Sequence, residues 1–373
     1  MGYASQLGTF SITIKKRFIS MALPILIISV LSGVCSTLIF GYFNIDAGGG
    51  EGPPPATPVP GDTPGSAALN ALFYVGIAFI GAFAIFFIFK YGNIKLLKAF
   101  FAVAIAVTSF FFVFLFIYAT PYYVLELVNE GAVFRPSTEW VILSLAIFFG
   151  LLYSALTVTS MVYQITPQPI PQIMAMLFAV LAGTFLATFL PMLASIFIMI
   201  GLSIYDIISV FRGPIKKIAE VSEERYNNEN SSENQNEEEN KIEEKPTMKI
   251  SELRESEQPI DENESVPDSI SDDAEYYYAE YIELGLGDLA FFGMLFSFAL
   301  LRLGFFAAIG AFVGVVIGAI GTIKLLEKVQ MMPGLPLSIG LGLLLAFGVW
   351  GIIALTGYSG WGWISPDWLS LSV

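Results

Sequence analysis

The chain has 373 residues, 55% of them hydrophobic and only 13% charged, with a formal net charge of −14. A soluble domain of this size carries about a quarter charged residues, so the composition excludes an ordinary soluble globular protein, and the negative charge is gathered in one segment that marks no nucleic-acid partner. There is no histidine and a single cysteine, Cys35, which excludes Ser–His and Cys–His nucleophiles, histidine-based zinc sites and an intrachain disulfide.

In chain order, Lys15, Lys16 and Arg17 precede an apolar run from 18 to about 42. That run is too long for the core of a signal peptide and reads as a retained span. A Gly/Pro-rich loop, 44–66, follows and is not helical. Further apolar stretches fall at roughly 67–89, 96–118, 140–162, 172–190, 192–211, 282–301, 304–323 and 333–355. Pro167, Pro169 and Pro171 break the chain before the fifth span, and Pro191 marks the turn before the sixth. Apolar runs of about 18 residues with few charges are membrane spans, so the expected fold class is all-α and polytopic, with nine transmembrane helices.

The segment between the sixth and seventh spans is different material. Residues 219–278 are rich in Glu, Asn, Ser and Gln and are expected to be a disordered acidic linker. The expected organisation is therefore 1–218 as a six-helix membrane bundle, 219–278 as the loop and 279–373 as a three-helix membrane part.

The basic residues orient these spans. One side of an alternating nine-span layout receives Lys15, Lys16, Arg17, Lys90, Lys95, Lys98, Arg212, Lys216, Lys217, Arg225, Lys324 and Lys328, while the other receives Arg135 and Arg302. Positive charge is retained in the cytoplasm, so the N-terminus and the 212–281 loop are expected there, and the C-terminus outside.

Two acids lie inside apolar spans, Asp206 and Asp288, with Glu283 at an edge. A carboxylate in hydrocarbon costs on the order of 3 kcal/mol even on lenient scales. The bland reading, polar glue between helices, would be served at lower cost by Asn or Ser. Asp206 lies shortly before Arg212, and Asp288 about as far inside a span that starts on the same side. At the rise of a helix both are roughly 9 Å below one surface. Two close carboxyls hold one proton between them, giving a base to activate water and an acid to protonate a carbonyl or a leaving amine. Around them stand Tyr205, the small-residue run Gly285, Leu286 and Gly287, and the PGLP stretch Pro333, Gly334, Leu335 and Pro336, expected to hold an extended or loop-like backbone at the same level.

Together these pieces resemble the presenilin family of intramembrane aspartyl proteases, whose members carry Y-D in span six, G-x-G-D in span seven and P-A-L opening span nine. The matching residues are Tyr205-Asp206, Gly285-Leu286-Gly287-Asp288 and Pro333-Gly334-Leu335-Pro336, with Gly334 in place of the usual alanine. The similarity extends to RGPIKKIAEVSEER after span six. Signal peptide peptidases share two of the motifs in inverted orientation, and prepilin peptidases have fewer spans and lack the proline motif. With no eukaryotic targeting feature, the chain looks like a compact prokaryotic or archaeal member.

The resemblance implies hydrolysis of peptide bonds in transmembrane helices, with Asp206 and Asp288 catalytic and Tyr205, Gly285, Leu286, Gly287, Pro333, Gly334, Leu335 and Pro336 at the substrate. The expected partners are the lipid bilayer and transmembrane protein or peptide substrates, with no metal or organic cofactor. The tyrosine-rich 276–283 is expected, with the PGLP backbone, to offer an edge to which an unwound substrate adds as a strand; an interfacial aromatic belt is the plainer reading of those tyrosines. The rival function is a proton- or cation-coupled transporter, a class that also uses intramembrane acids and interrupted helices, although transporters favour midplane sites and repeated halves. A non-enzymatic membrane scaffold is a third reading and gives no reason for two matched acids.

Overall fold

Long stretches without charge leave the backbone polar groups only each other as partners in lipid, so they must close into helices. The computed structural model describes residues 11–15, 18–46, 58–59, 63–90, 94–128, 135–167, 169–211, 281–326 and 334–356. Among these are nine helices: α1 (Phe18–Asp46), α2 (Pro64–Lys90), α3 (Ile94–Val128), α4 (Pro136–Thr157), α5 (Ile170–Phe189), α6 (Met192–Phe211), α7 (Leu286–Arg302), α8 (Phe305–Leu326) and α9 (Leu335–Leu355). Seven of them are long and apolar enough to cross a membrane; α6 carries a shorter apolar stretch, Met192–Ile208, and α7 is a 17-residue helix. The all-α class and the positions of the runs are as expected. The acidic loop 219–278, Pro333 and residues 276–280 lie outside the described residues, as does most of the Gly/Pro-rich loop.

Three features depart from the sequence reading. First, α3 continues through Pro121 to Val128, well beyond 118. Second, the chain adds a small two-stranded antiparallel ribbon, β1 (Ser11–Lys15) against β2 (Tyr281–Gly285), with Ser11 opposite Gly285 and Lys15 opposite Tyr281. The seventh helix consequently begins at Leu286 rather than 282, because the residues before it are extended and already paired. Third, α4 ends in a π-helical turn, Val158–Val162, and Gln164 takes a left-handed conformation, φ 51°, so the break before α5 starts ahead of the three prolines.

Helix α7 is the centre of the packing. Leu289, Phe292, Met294, Leu295, Phe298 and Ala299 are all buried. It lies between α1 and α5 and also meets α8 and α9. Small residues let the backbones approach: a methyl at Gly183 of α5 would stand 2.7 Å from the Ala290 carbonyl oxygen and 2.8 Å from the Met294 nitrogen. Hydroxyls join the same crossing. Ser32 of α1 shares a hydrogen bond of 2.8 Å with Ser297 and donates to the Gly293 carbonyl at 3.3 Å, while Thr184 of α5 donates to the Ser32 carbonyl at 3.2 Å. Interhelical bonds of this kind in a membrane average about 0.6 kcal/mol each. On the other side, Gly310, Gly314 and Gly318 of α8 face the backbone of α9 at Leu345, Leu341 and Leu337, the small-residue stripe by which membrane helices pack without a hydrophobic driving force.

Candidate active site

Asp288 lies in the first turn of α7, three residues after the end of β2. This is shallower in its helix than the sequence reading placed it, because β2 replaces the first turn of the expected span. Asp206 lies in the last turns of α6 (Met192–Phe211). The two carboxyls are near enough for the charge of Asp206 to act on Asp288. Both side chains are partly buried.

The start of α9 joins them. The Leu335 backbone N–H donates to Asp206 Oδ2 at 3.1 Å. The first amides of any helix have no partner within it, so Asp206 takes up a donor that α9 leaves over. On the other face of the same turn, a methyl at Gly334 would stand 2.9 Å from Asp288 Oδ2 and 3.5 Å from its Cγ. Gly334 has ordinary right-handed angles, φ −78° and ψ −36°. It is small here to leave room for a carboxyl rather than to adopt a special backbone conformation.

The expectation of an extended PGLP backbone is corrected at this point. Gly334 caps α9, and Leu335 and Pro336 are its first residues. Proline fits the first turn of a helix, where its missing N–H would have had no acceptor, so the second proline opens the helix instead of holding it off.

Of the other residues singled out, Leu286 and Gly287 open α7, and Gly285 precedes it with extended angles, φ −65° and ψ 142°. A methyl at Gly285 would meet Asp288 Oδ2 at an ordinary 3.4 Å, whereas nothing stands within 4 Å of one at Gly287. Open space therefore lies at Gly287, the residue before Asp288. Tyr205 turns to α2, packing edge-on against Phe79 with ring centroids 4.6 Å apart. Sequence reasoning did not anticipate the Leu335 amide as the partner of Asp206, nor β1. The first had a faint signal in the second proline, which marks a helix start. The second had one in the alternating, β-branched SITIK. Among the described residues no group of three or more His, Cys, Asp or Glu is placed to hold a metal ion.

Three segments distant in sequence thus supply one place: the end of α6, the β2–α7 junction and the start of α9. Residues 225–354 match the family model for presenilin. Over that stretch the chain is presenilin-like. The match takes in 285–288 and 333–336 and begins after Asp206, which joins the site through its bond to Leu335 of α9. Two solved structures of a presenilin family intramembrane aspartate protease, in C222 and P2 space groups, are similar to the chain. The first is 14% identical, covering 90% of this chain and 99% of its own, with a TM-score of 0.48. The second is 16% identical, covering 89% and 96%, with a TM-score of 0.47. No curated protein matches the chain.

Proposed function

We propose that this chain is an intramembrane aspartic endopeptidase that hydrolyses peptide bonds in the transmembrane helices of its substrates, with Asp206 and Asp288 as the catalytic pair. The observation that carries the reading is the convergence of both carboxyls on one turn of backbone, Gly334 and Leu335. One carboxylate takes a proton from water as the oxygen attacks the scissile carbonyl. The other, protonated, gives its proton to the carbonyl oxygen. The tetrahedral intermediate then collapses as the leaving amine is protonated, and the pair returns to sharing one proton. The Leu335 amide orients the Asp206 carboxyl, and the small residue at 334 admits Asp288 beside it.

A helical substrate must unwind before water reaches its backbone, and its freed N–H and C=O groups then need partners in a low-dielectric site. The open space at Gly287, the residue before Asp288, gives room for such a backbone. β2 leads directly to it and supplies a strand for pairing. Since α9 is helical from Leu335, the pairing edge is assigned to β2 alone, with the start of α9 holding the carboxyls. Tyr205 acts by seating α6 against α2.

The chain lies in the bilayer with its N-terminus and the 212–281 loop in the cytoplasm and its C-terminus outside, as the distribution of Lys and Arg favours. Single cysteines at Ser232 and Ser370 in a Cys35→Ala background check this: an impermeant thiol reagent on intact cells should label position 370 and spare 232.

Incubation of the purified protein with a synthetic single-span peptide, followed by mass spectrometry, tests the activity. Fragments with new termini inside the apolar stretch are expected. A peptide recovered intact by a folded protein, with proton or cation flux across vesicles containing it, would favour the transporter instead.

A further inference from the structure

A cavity of about 180 Å³ stands apart from the aspartates, lined by Tyr118 of α3 and by Glu139, Trp140 and Leu143 of α4. Neighbouring rings hold Tyr118 in place. It stacks on Phe114 with ring centroids 6.0 Å apart, and meets Tyr122 at 5.3 Å and Tyr42 of α1 at 6.3 Å. Glu139 is exposed, and its charge acts on Tyr122 in the same ring cluster. Two aromatic rings and a carboxyl around one small space suit a cation. Tyrosine and tryptophan attract it through the negative faces of their rings, and the carboxyl through its charge.

The fold places this cavity at a membrane boundary. Glu139 is in the first turn of α4, where the helix dipole favours an acid. The apolar spans of the two helices end close by, at Leu125 and Pro136. This boundary is the one away from the aspartates. Helices α1 and α7 run parallel, with Ser32 beside Gly293 and Phe40 under the Arg302 guanidinium. Tyr42, near the end of α1, and the rings it meets therefore lie at the far end of α7 from Asp288, roughly 20 Å along the helix axis. From Leu143 inward, Ile147 and Leu151 follow on the same face of α4 and are exposed, as acyl chains require. Arg135, exposed one turn before Glu139, suits the phosphate of a headgroup held there.

We propose that this cavity binds the ammonium group of a phospholipid headgroup, ethanolamine or choline, in the leaflet away from the aspartates, with the acyl chains along the outer face of α4. An interfacial aromatic belt is the plainer role for Tyr118 and Trp140. A belt, however, is indifferent to headgroup charge and needs no carboxyl beside its rings. A lysine flanking a substrate span would carry the same ammonium chemistry. Helix α4 packs mainly on α3, while the aspartates belong to α6 and α7, so the cavity faces lipid rather than the cleft between those helices.

Native mass spectrometry of the detergent-solubilised full chain tests this. The probes are dioleoyl phosphatidylethanolamine, phosphatidylcholine and phosphatidylglycerol, which share their chains and phosphate and differ in the headgroup charge. The wild type should hold the first two several-fold more tightly than the third. Glu139→Gln should remove that preference, weakening the two amine lipids by about two- to fivefold without weakening phosphatidylglycerol. Trp140→Leu should weaken the amine lipids likewise, whereas Tyr118→Phe, which keeps its ring, should bind them as the wild type does. Elution volumes equal to that of the wild type control for folding. Equal retention of the three lipids by the wild type, or a preference that survives Glu139→Gln, would overturn the proposal in favour of the belt. An unchanged lipid preference in Glu139→Gln, with weaker binding of a single-span peptide that carries a lysine at its outer end, would overturn it in favour of a substrate contact. Neither result bears on the endopeptidase reading, which rests on Asp206 and Asp288.

Discussion

The two aspartates are held by different means. Asp288 is carried by a helix buried among α1, α5, α8 and α9, and the residues that follow it, Leu289 and Ala290, are inside the core. Asp206 is carried by a helix with Ile204, Ile207 and Ile208 exposed on its outer face. Its neighbours are α2, which is itself little buried, and the start of α9. Packing fixes the first carboxyl, and a hydrogen bond to a helix end fixes the second. A site made this way keeps one group rigid and lets the other adjust as an occupant enters between them.

Substitutions can break or sharpen that contrast. The largest effect is expected on the rigid side. Gly183→Val puts a branched side chain where even a methyl meets α7 backbone at 2.7 Å. Overpacking of this kind costs about 1–3 kcal/mol or more, so the detergent-solubilised protein should lose thermal stability and activity together. An unchanged melting midpoint would show that α5 and α7 are not pressed together as described.

Next comes the turn between the carboxyls. Gly334→Ala places its methyl 2.9 Å from Asp288 Oδ2, and the carboxyl must move by a few tenths of an ångström. Misplacement by 1 Å costs about a hundredfold in rate, so a several-fold fall in kcat is expected with folding intact. Gly287→Ala, which meets nothing within 4 Å in the free protein, should leave stability unaltered, and any effect should fall on KM. Equal kcat losses at the two glycines would argue against the special closeness at 334.

The smallest effect belongs to the adjustable side. Phe79→Ala removes the edge-on contact to Tyr205, worth about 0.5–1.5 kcal/mol beyond simple burial. Because Asp206 keeps its bond to Leu335, kcat should fall by no more than a few-fold. A loss as large as that of a missing carboxyl would mean that α2, rather than α9, positions Asp206.

The sequence made the helices legible because runs such as 67–89 and 304–323 contain almost no alternative to membrane burial. Asp206 and Asp288 were legible because an acid in such surroundings is costly, and Gly285 and Gly287 because they adjoin one. The knot of Ser32, Thr184 and Ser297 was not, since serine and threonine occur throughout apolar helices and only the crossing of three helices makes these meet. Gly334 stands in the sequence only as a small residue in place of the usual alanine; its distance to Asp288 shows what its size accommodates. The SITIK strand carries its own alternation, but its partner lies at the far end of the chain, and five residues in a row do not disclose with what they pair. The PGLP start was misread as extended because two prolines suit a loop as well as a first helical turn.

The central claim is that two carboxyls on differently held helices act as one group, one charged and one protonated. Its most direct test is cleavage of a single-span peptide against pH by the purified wild-type protein, beside Asp206→Asn and Asp288→Asn. The wild type should give a bell-shaped profile, and each variant, eluting as the wild type does, should lose about a thousandfold or more of the rate. Substantial turnover by either folded variant, or a wild-type rate that does not fall on both sides of its optimum, would contradict the shared site.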